Sequence, residues 1–400
     1  MPTKMNRSEQ QPYVPKGDDN GGEYRSYGYG GNPIPKGAYK KIKPKKQEEK
    51  IQVKVEDNGK DNNASNFIDF INKTHNKNSK EFNKKLIDQF NYGQKEGKDL
   101  INKVIKDGSI SYTKGNQDCC WMIDGSVTLS STGVGGTQES GNYSKGGVFY
   151  HETYHAIDAN FKQPYEKAKQ MDFRHSASAT IITSNGKTLC DTLIGKQKPP
   201  IGDRLKQAQE DLAKFEQEFY DKNYPNLKDD KKELESIYEE AKKTKEYQDI
   251  LEKKEAFMKL PYEERSKRYS ELNEYRNKLD NILEEYKRDE QKELREKISS
   301  AQLEFRREKL TVWGDVSDMF CMQGYGYVFD MGHSTRYAGN KSLRGVEFFA
   351  ECGSAENTNP QSLKLIKKYF PEGYKAYREI IDGIKSGKYK SFKQQKEAKN

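Results

Sequence analysis

Cysteine and histidine are scarce in this sequence, and it has few apolar residues for its length. The five cysteines are Cys119, Cys120, Cys190, Cys321 and Cys352. Their number is odd, two are adjacent, and none forms a CxxC pair. That argues against a disulfide scaffold and against thiolate zinc binding, and it fits a reducing compartment. No apolar run approaches the roughly 20 residues needed to span a bilayer. The start, Met1 to Arg7, leads into no apolar stretch of a secretory signal. The expectation is a cytoplasmic or virion-associated protein without membrane contact. Hydrophobic residues make up 32% of the 400 residues against 33% charged, too few for one core to fill the chain, so part of the length is tail or exposed helix.

The formal charge of +9 comes largely from lysine runs near the two ends. Such runs read as solvated tails or as weak contacts to nucleic acid. Residues 1–60, rich in Gly, Pro, Lys, Asn and Gln, read as a disordered basic leader, and 386–400 as a disordered basic tail.

Only five histidines are present, and two of them stand in one pattern: His151-Glu152-Thr153-Tyr154-His155. On a helix, residues i and i+4 share a face, so His151 and His155 can aim two imidazoles at one metal ion. Glu152 sits about 100° round the helix, where it can polarise a metal-held water instead of ligating. Zinc suits such a set, because imidazole is a preferred ligand and a catalytic site keeps a position open. The bland alternative is a pair of hydrogen-bonded helix histidines. Val148, Phe149, Ala156 and Ile157 supply apolar positions that bury the helix. His75 and His175 have no spacing that recommends them.

Apolar residues at three-to-four spacing predict helices across 65–106: Phe67, Ile68, Phe70 and Ile71, then Phe82, Leu86, Ile87 and Phe90, then Leu100, Ile101, Val104 and Ile105. Strands are expected at 109–113 and 126–131, the second a candidate edge strand for substrate addition. A Gly-rich connector, 133–147, leads into the motif. Asn185-Gly186, flanked by 179–183 and 187–193, predicts a hairpin. Residues 201–310, dense in Lys, Glu, Asp and Tyr, read as a charged arm of two or three amphipathic helices folded back as an antiparallel coiled coil. Breaks are expected near Tyr224-Pro225 and Leu260-Pro261. Leu272, Leu279, Leu283, Tyr286, Ile298 and Phe305 form its seam.

Two histidines need a third ligand. Asp158 and Phe161 occupy the positions where HExxHxxGxxH wants Gly and His, so that pattern is excluded. Val346-Glu347-Phe348-Phe349-Ala350-Glu351 supplies the alternative: Glu347 and Glu351 lie one turn apart, so one carboxylate could ligate while the other orients a ligand histidine.

HExxHAxD followed at a distance by EFFAE resembles the anthrax lethal factor-like branch of the gluzincin metallopeptidases. That resemblance implies an α+β zincin-like domain in two parts, 61–200 and 311–385, with the helical arm as an insertion. It also implies zinc as cofactor, a protein or peptide substrate, and Glu347 as third ligand, with Glu351 and Asp158 behind the ligands. Tyr337 is the nearest match to the family's active-site tyrosine, and His333 nearby could bind a substrate carbonyl. The run from Trp313-Gly314-Asp315 through Gly332-His333-Ser334 and EFFAE to Asn359-Pro360 and Tyr369-Phe370-Pro371 is similar to the metallopeptidase domain at the C-terminus of phage minor head proteins. Residues Gln11 to Tyr24 resemble a VPxGxxxGGQ segment of phage head proteins and prophage-linked toxins. These likenesses imply a phage or prophage setting. A structural head protein with a non-catalytic metal site, possible partners among other virion proteins, and a delivered toxin are the rival expectations.

Overall fold

The computed structural model describes residues 67–71, 80–106, 110–115, 119–120, 126–129, 145–161, 176–195, 198–325, 329 and 341–398. They belong to one compact unit, Lys60–Asn400. The leader, the Gly-rich connector up to 144, His75, His175, His333 and Tyr337 lie outside the described residues.

Helices dominate. In chain order they are α1 (67–71), α2 (Lys80–Asn91), α3 (Lys95–Lys106), α4 (Gly147–Asn160), α5 (Ala177–Thr180), α6 (Leu189–Ile194) and α7 (Ile201–Asn223). Then follow α8 (Leu227–Lys242), α9 (Lys245–Met258), α10 (Tyr262–Lys267), α11 (Tyr269–Glu285) and α12 (Arg288–Phe320). The last four are α13 (Lys341–Thr358), α14 (Pro360–Tyr369), α15 (Pro371–Lys385) and α16 (Phe392–Glu397). One small sheet holds β1 (Ser111–Lys114), β2 (Cys119–Cys120) and β3 (Ser126–Leu129) in the order β1-β3-β2.

The apolar stripes of α1–α3 face inward as their spacing predicts: Phe67, Ile71, Leu86, Phe90, Ile101 and Val104 are fully enclosed. They close over α4, which is buried almost all round and so shows little sidedness. A helix in that position must satisfy its own polar side chains. Tyr150 Oη donates to the Phe90 carbonyl at 2.8 Å, and the Tyr112 and Thr153 hydroxyls meet at 3.1 Å. Its start is made by Gly146 at φ 79°, a left-handed conformation that a side chain would strain.

Helices α4 and α13 pack closely. Ser354 Oγ donates to the Gly147 carbonyl at 3.1 Å, and Asn357 Nδ2 to the Tyr154 hydroxyl at 3.1 Å. A Cβ at Gly353 would stand 2.0 Å from the Tyr154 ring, so that glycine permits the approach. Phe348 and Phe349 are buried on the same helix, and Phe349 packs edge-on to Tyr377 of α15.

Several expectations are corrected. The first strand runs Ser111–Lys114, two residues later than its start was read. Strand β3 is central: β1 pairs with it in parallel and β2 antiparallel. Both of its edges are therefore occupied, and it cannot accept a substrate strand. The hairpin at Asn185-Gly186 is a turn between two helices. Gly186 does take a positive φ, but Thr188 accepts from Asp191 N and starts α6, so its cap overrides the strand-like composition.

The arm contains five complete helices, α7 to α11, and the first part of a sixth. Breaks fall at 224–226 and 259–261 as expected, with others at 243–244, 268 and 286–287. Leu272, Leu279 and Phe305 are buried seam residues, whereas Leu283, Tyr286 and Ile298 are only half-buried. Residue 310 is no boundary: α12 is a single helix of 33 residues whose end, Val312 to Phe320, is buried in the core. At the arm's other root, Arg204 uses its guanidinium fully, donating to the carbonyls of Lys198, Pro199 and Tyr369 and to both oxygens of Glu372, each at 2.9 Å.

The tail read as disordered is also structured through Glu397. Tyr389 packs against Gly383. Ser391 and Gln394 cap α16 reciprocally, Gln394 N donating to Ser391 Oγ and Ser391 N to Gln394 Oε1.

Candidate metal centre

Among the described residues, one group of acids and histidines is arranged to hold a metal ion: His151, His155 and Glu347. Helix α4 supplies both imidazoles from successive turns. Helix α13, packed against it through Gly353, supplies the carboxylate. His151 Nε2 and His155 Nε2 lie 2.9 Å apart, and Glu347 Oε2 stands 3.6 Å and 3.5 Å from them. Ligands about 2.0–2.1 Å from a tetrahedral ion would be separated by roughly 3.3 Å. The three donors thus already span close to the edge of such a tetrahedron. All three residues are buried, at 7, 9 and 3% exposure.

The electrostatics favour a cation at this point. Burial works against charge on His151, yet the carboxylates of Glu351, Glu347 and Glu152 outweigh it and hold the imidazole well above its ordinary value. Burial likewise opposes ionisation of Glu347, but His155 and His151 overcome it and keep the carboxyl well below the usual range. A pocket that draws positive charge onto a buried imidazole will draw a metal cation by the same field. The residues present therefore fit a divalent ion.

Behind His151 lies a chain of buried acids. Glu351 Oε1 is 3.6 Å from His151 Nδ1, within ion-pair range and longer than a hydrogen bond. Asp315, at the end of α12, faces Glu351 closely enough for a hydrogen bond between the two carboxyls. Burial, and then the charge of Glu351, pushes Asp315 well above the carboxylate range. Ser362 Oγ donates to Asp315 Oδ2 at 2.6 Å. This layer was missed in the sequence, although an aspartate inside the apolar run Val312–Phe320 was a signal.

Glu152 is half-buried on the flank of α4, the one member of the motif's charged set that keeps solvent access. Asp158 is fully buried and turned toward α5, accepting from Ser178 N at 2.6 Å and Ser178 Oγ at 2.7 Å. It buttresses the helix end and feels the charge of His155 without a hydrogen bond to that ring. Burial raises its pKa to about 7, against the lowering effect of Ser178. The fold thus accommodates the neutral acid. Its contribution to stability is complete below about pH 4 and is lost as the pH rises through about 7. Asp158→Asn, fixed neutral, should gain thermal stability relative to the parent as pH rises across that window. A difference in Tm that stays constant with pH would refute the assignment.

No family model, no curated protein and no solved structure matches the chain. No helix among the described residues is long and apolar enough to cross a membrane.

Proposed function

We propose that this chain is a zinc-dependent endopeptidase of the gluzincin type, acting on protein or peptide substrates. The observation that carries the reading is the buried convergence of His151, His155 and Glu347 beside Glu152, which stays half exposed on the same helix. His151, His155 and Glu347 would hold the ion, and two imidazoles with one carboxylate suit zinc. When bound, zinc supplies Lewis acidity, which acidifies a water and polarises a carbonyl.

The chain's own residues do the rest. Glu152 accepts a proton from the attacking water as its oxygen bonds to the carbonyl carbon. It returns that proton to the amine nitrogen as the C–N bond breaks. Glu351, which faces Asp315, stands behind the ring of His151 and would orient it once the ion is bound. The likeness to phage head metallopeptidases extends the proposal to a phage or prophage setting.

The direct test incubates the purified chain with a denatured protein such as casein. Cleavage is expected, a chelator should abolish it, and stoichiometric zinc should restore it. Cleavage indifferent to the chelator, or none by the zinc-loaded chain, refutes the reading.

A further inference from the structure

The cleft beside the trio carries a positive charge that the proposed chemistry does not use. Arg344 lies on α13 one turn before Glu347, and lines the cleft together with Glu347, Asp318, Met319, Met322 and Phe348. It is half-buried, and its Nε is enclosed with no acceptor among the described residues. Burial holds its guanidinium below the ordinary value, and among the described residues no carboxylate pairs with it, although Asp318, Glu347 and Glu351 line the same cleft. Two other arginines are fully engaged. Arg204 is saturated by five acceptors, and Arg378 pairs with Glu356 and Asp382. A buried donor left without an acceptor costs about 1–3 kcal/mol, and more when charged. An unsatisfied charged donor in a cleft calls for an explanation, and a ligand that accepts from it is one.

We propose that Arg344 is the specificity residue of this site and receives a carboxylate of the substrate next to the bond that is cut. The inference rests on the peptidase reading above. Three residues along a helix separate Arg344 from Glu347 by about 4.5 Å of rise, and an extended peptide advances about 3.3–3.6 Å per residue. The carboxylate therefore belongs to a residue that flanks the reacting carbonyl or stands one beyond it. The guanidinium fork can grip it with two parallel bonds, while Met319, Met322 and Phe348 offer apolar walls to the stem. Two sources share this chemistry: an Asp or Glu side chain, or the free C-terminus, which would make the enzyme a carboxypeptidase.

The experiment gives the zinc-loaded full chain acetylated peptides that differ only in Glu or Gln near the cleavage point. One set has amidated C-termini and a second set free ones. Wild type should cleave the Glu peptides at least about tenfold faster in kcat/KM, as loss of a charged hydrogen bond implies. Arg344→Gln should bring that ratio near one, and Arg344→Glu should shift preference toward Lys. Preference confined to free C-termini assigns the terminal carboxylate. A wild-type Glu/Gln ratio near one together with equal cleavage of free and amidated C-termini, or a preference that survives in Arg344→Gln with metal content and Tm intact, overturns the proposal. Calorimetric binding of the same peptides to Glu152→Gln, with and without Arg344→Gln, separates the two readings. Arg344-dependent binding without any cleavage sinks the peptidase and keeps the carboxylate site. Cleavage without acidic preference does the reverse.

Discussion

His155→Ala is expected to abolish metal binding at the candidate centre. Metal analysis of the purified wild type should find about one zinc per chain, as a three-ligand site implies, and the variant should fall to background. His155 is the cleaner choice of the two histidines, because removing it leaves the contact between His151 and Glu351 in place. It removes one of the two imidazoles that hold Glu347 in its ionised form. His151 remains beside Glu347, so the carboxylate keeps a partner and Tm should fall only modestly. Undiminished zinc in a folded His155→Ala protein would exclude the trio as the site.

Glu152→Gln should retain zinc and lose activity by about 10²–10⁴-fold, the range that general acid–base catalysis contributes. The amide keeps the size and half-buried position of the side chain but cannot take a proton. Glu152 follows His151 directly, so it points about 100° away from the ligand face while its charge still reaches that imidazole. The readouts are turnover of the denatured substrate and metal content, measured on one preparation. Near-normal turnover would remove Glu152 from the mechanism, and loss of zinc would make it a ligand instead.

The site was more legible in the sequence than the scaffold around it. His151, His155, Glu347 and Glu351 are found where a four-residue spacing places them, because helix geometry is local and the side-chain direction follows from it. The apolar stripes of α1 to α3 were readable for the same reason. What was not legible depends on partners distant in sequence. The central place of β3 is decided by Ser111–Lys114 on one side and Cys119–Cys120 on the other, and no feature of Ser126–Leu129 announces it. The raised carboxyl of Asp315 depends on its burial and on Glu351 of another helix. Asn185-Gly186 signals its turn correctly, but the flanks became helices because Thr188 caps α6. His333 and Tyr337 remain expectations from resemblance.

The ligands of the candidate centre come from α4 and α13, and about 190 residues of chain separate His155 from Glu347. At roughly 5–20 residues per second, a ribosome needs about 10–40 s to travel between them. Throughout that interval the nascent chain exposes two histidines and a base without the third donor. A chain released before Glu347 lacks a ligand altogether. If the centre cuts peptide bonds, order of synthesis is its first safeguard: a polypeptide that has not reached Glu347, or that ends before it, cannot assemble the trio.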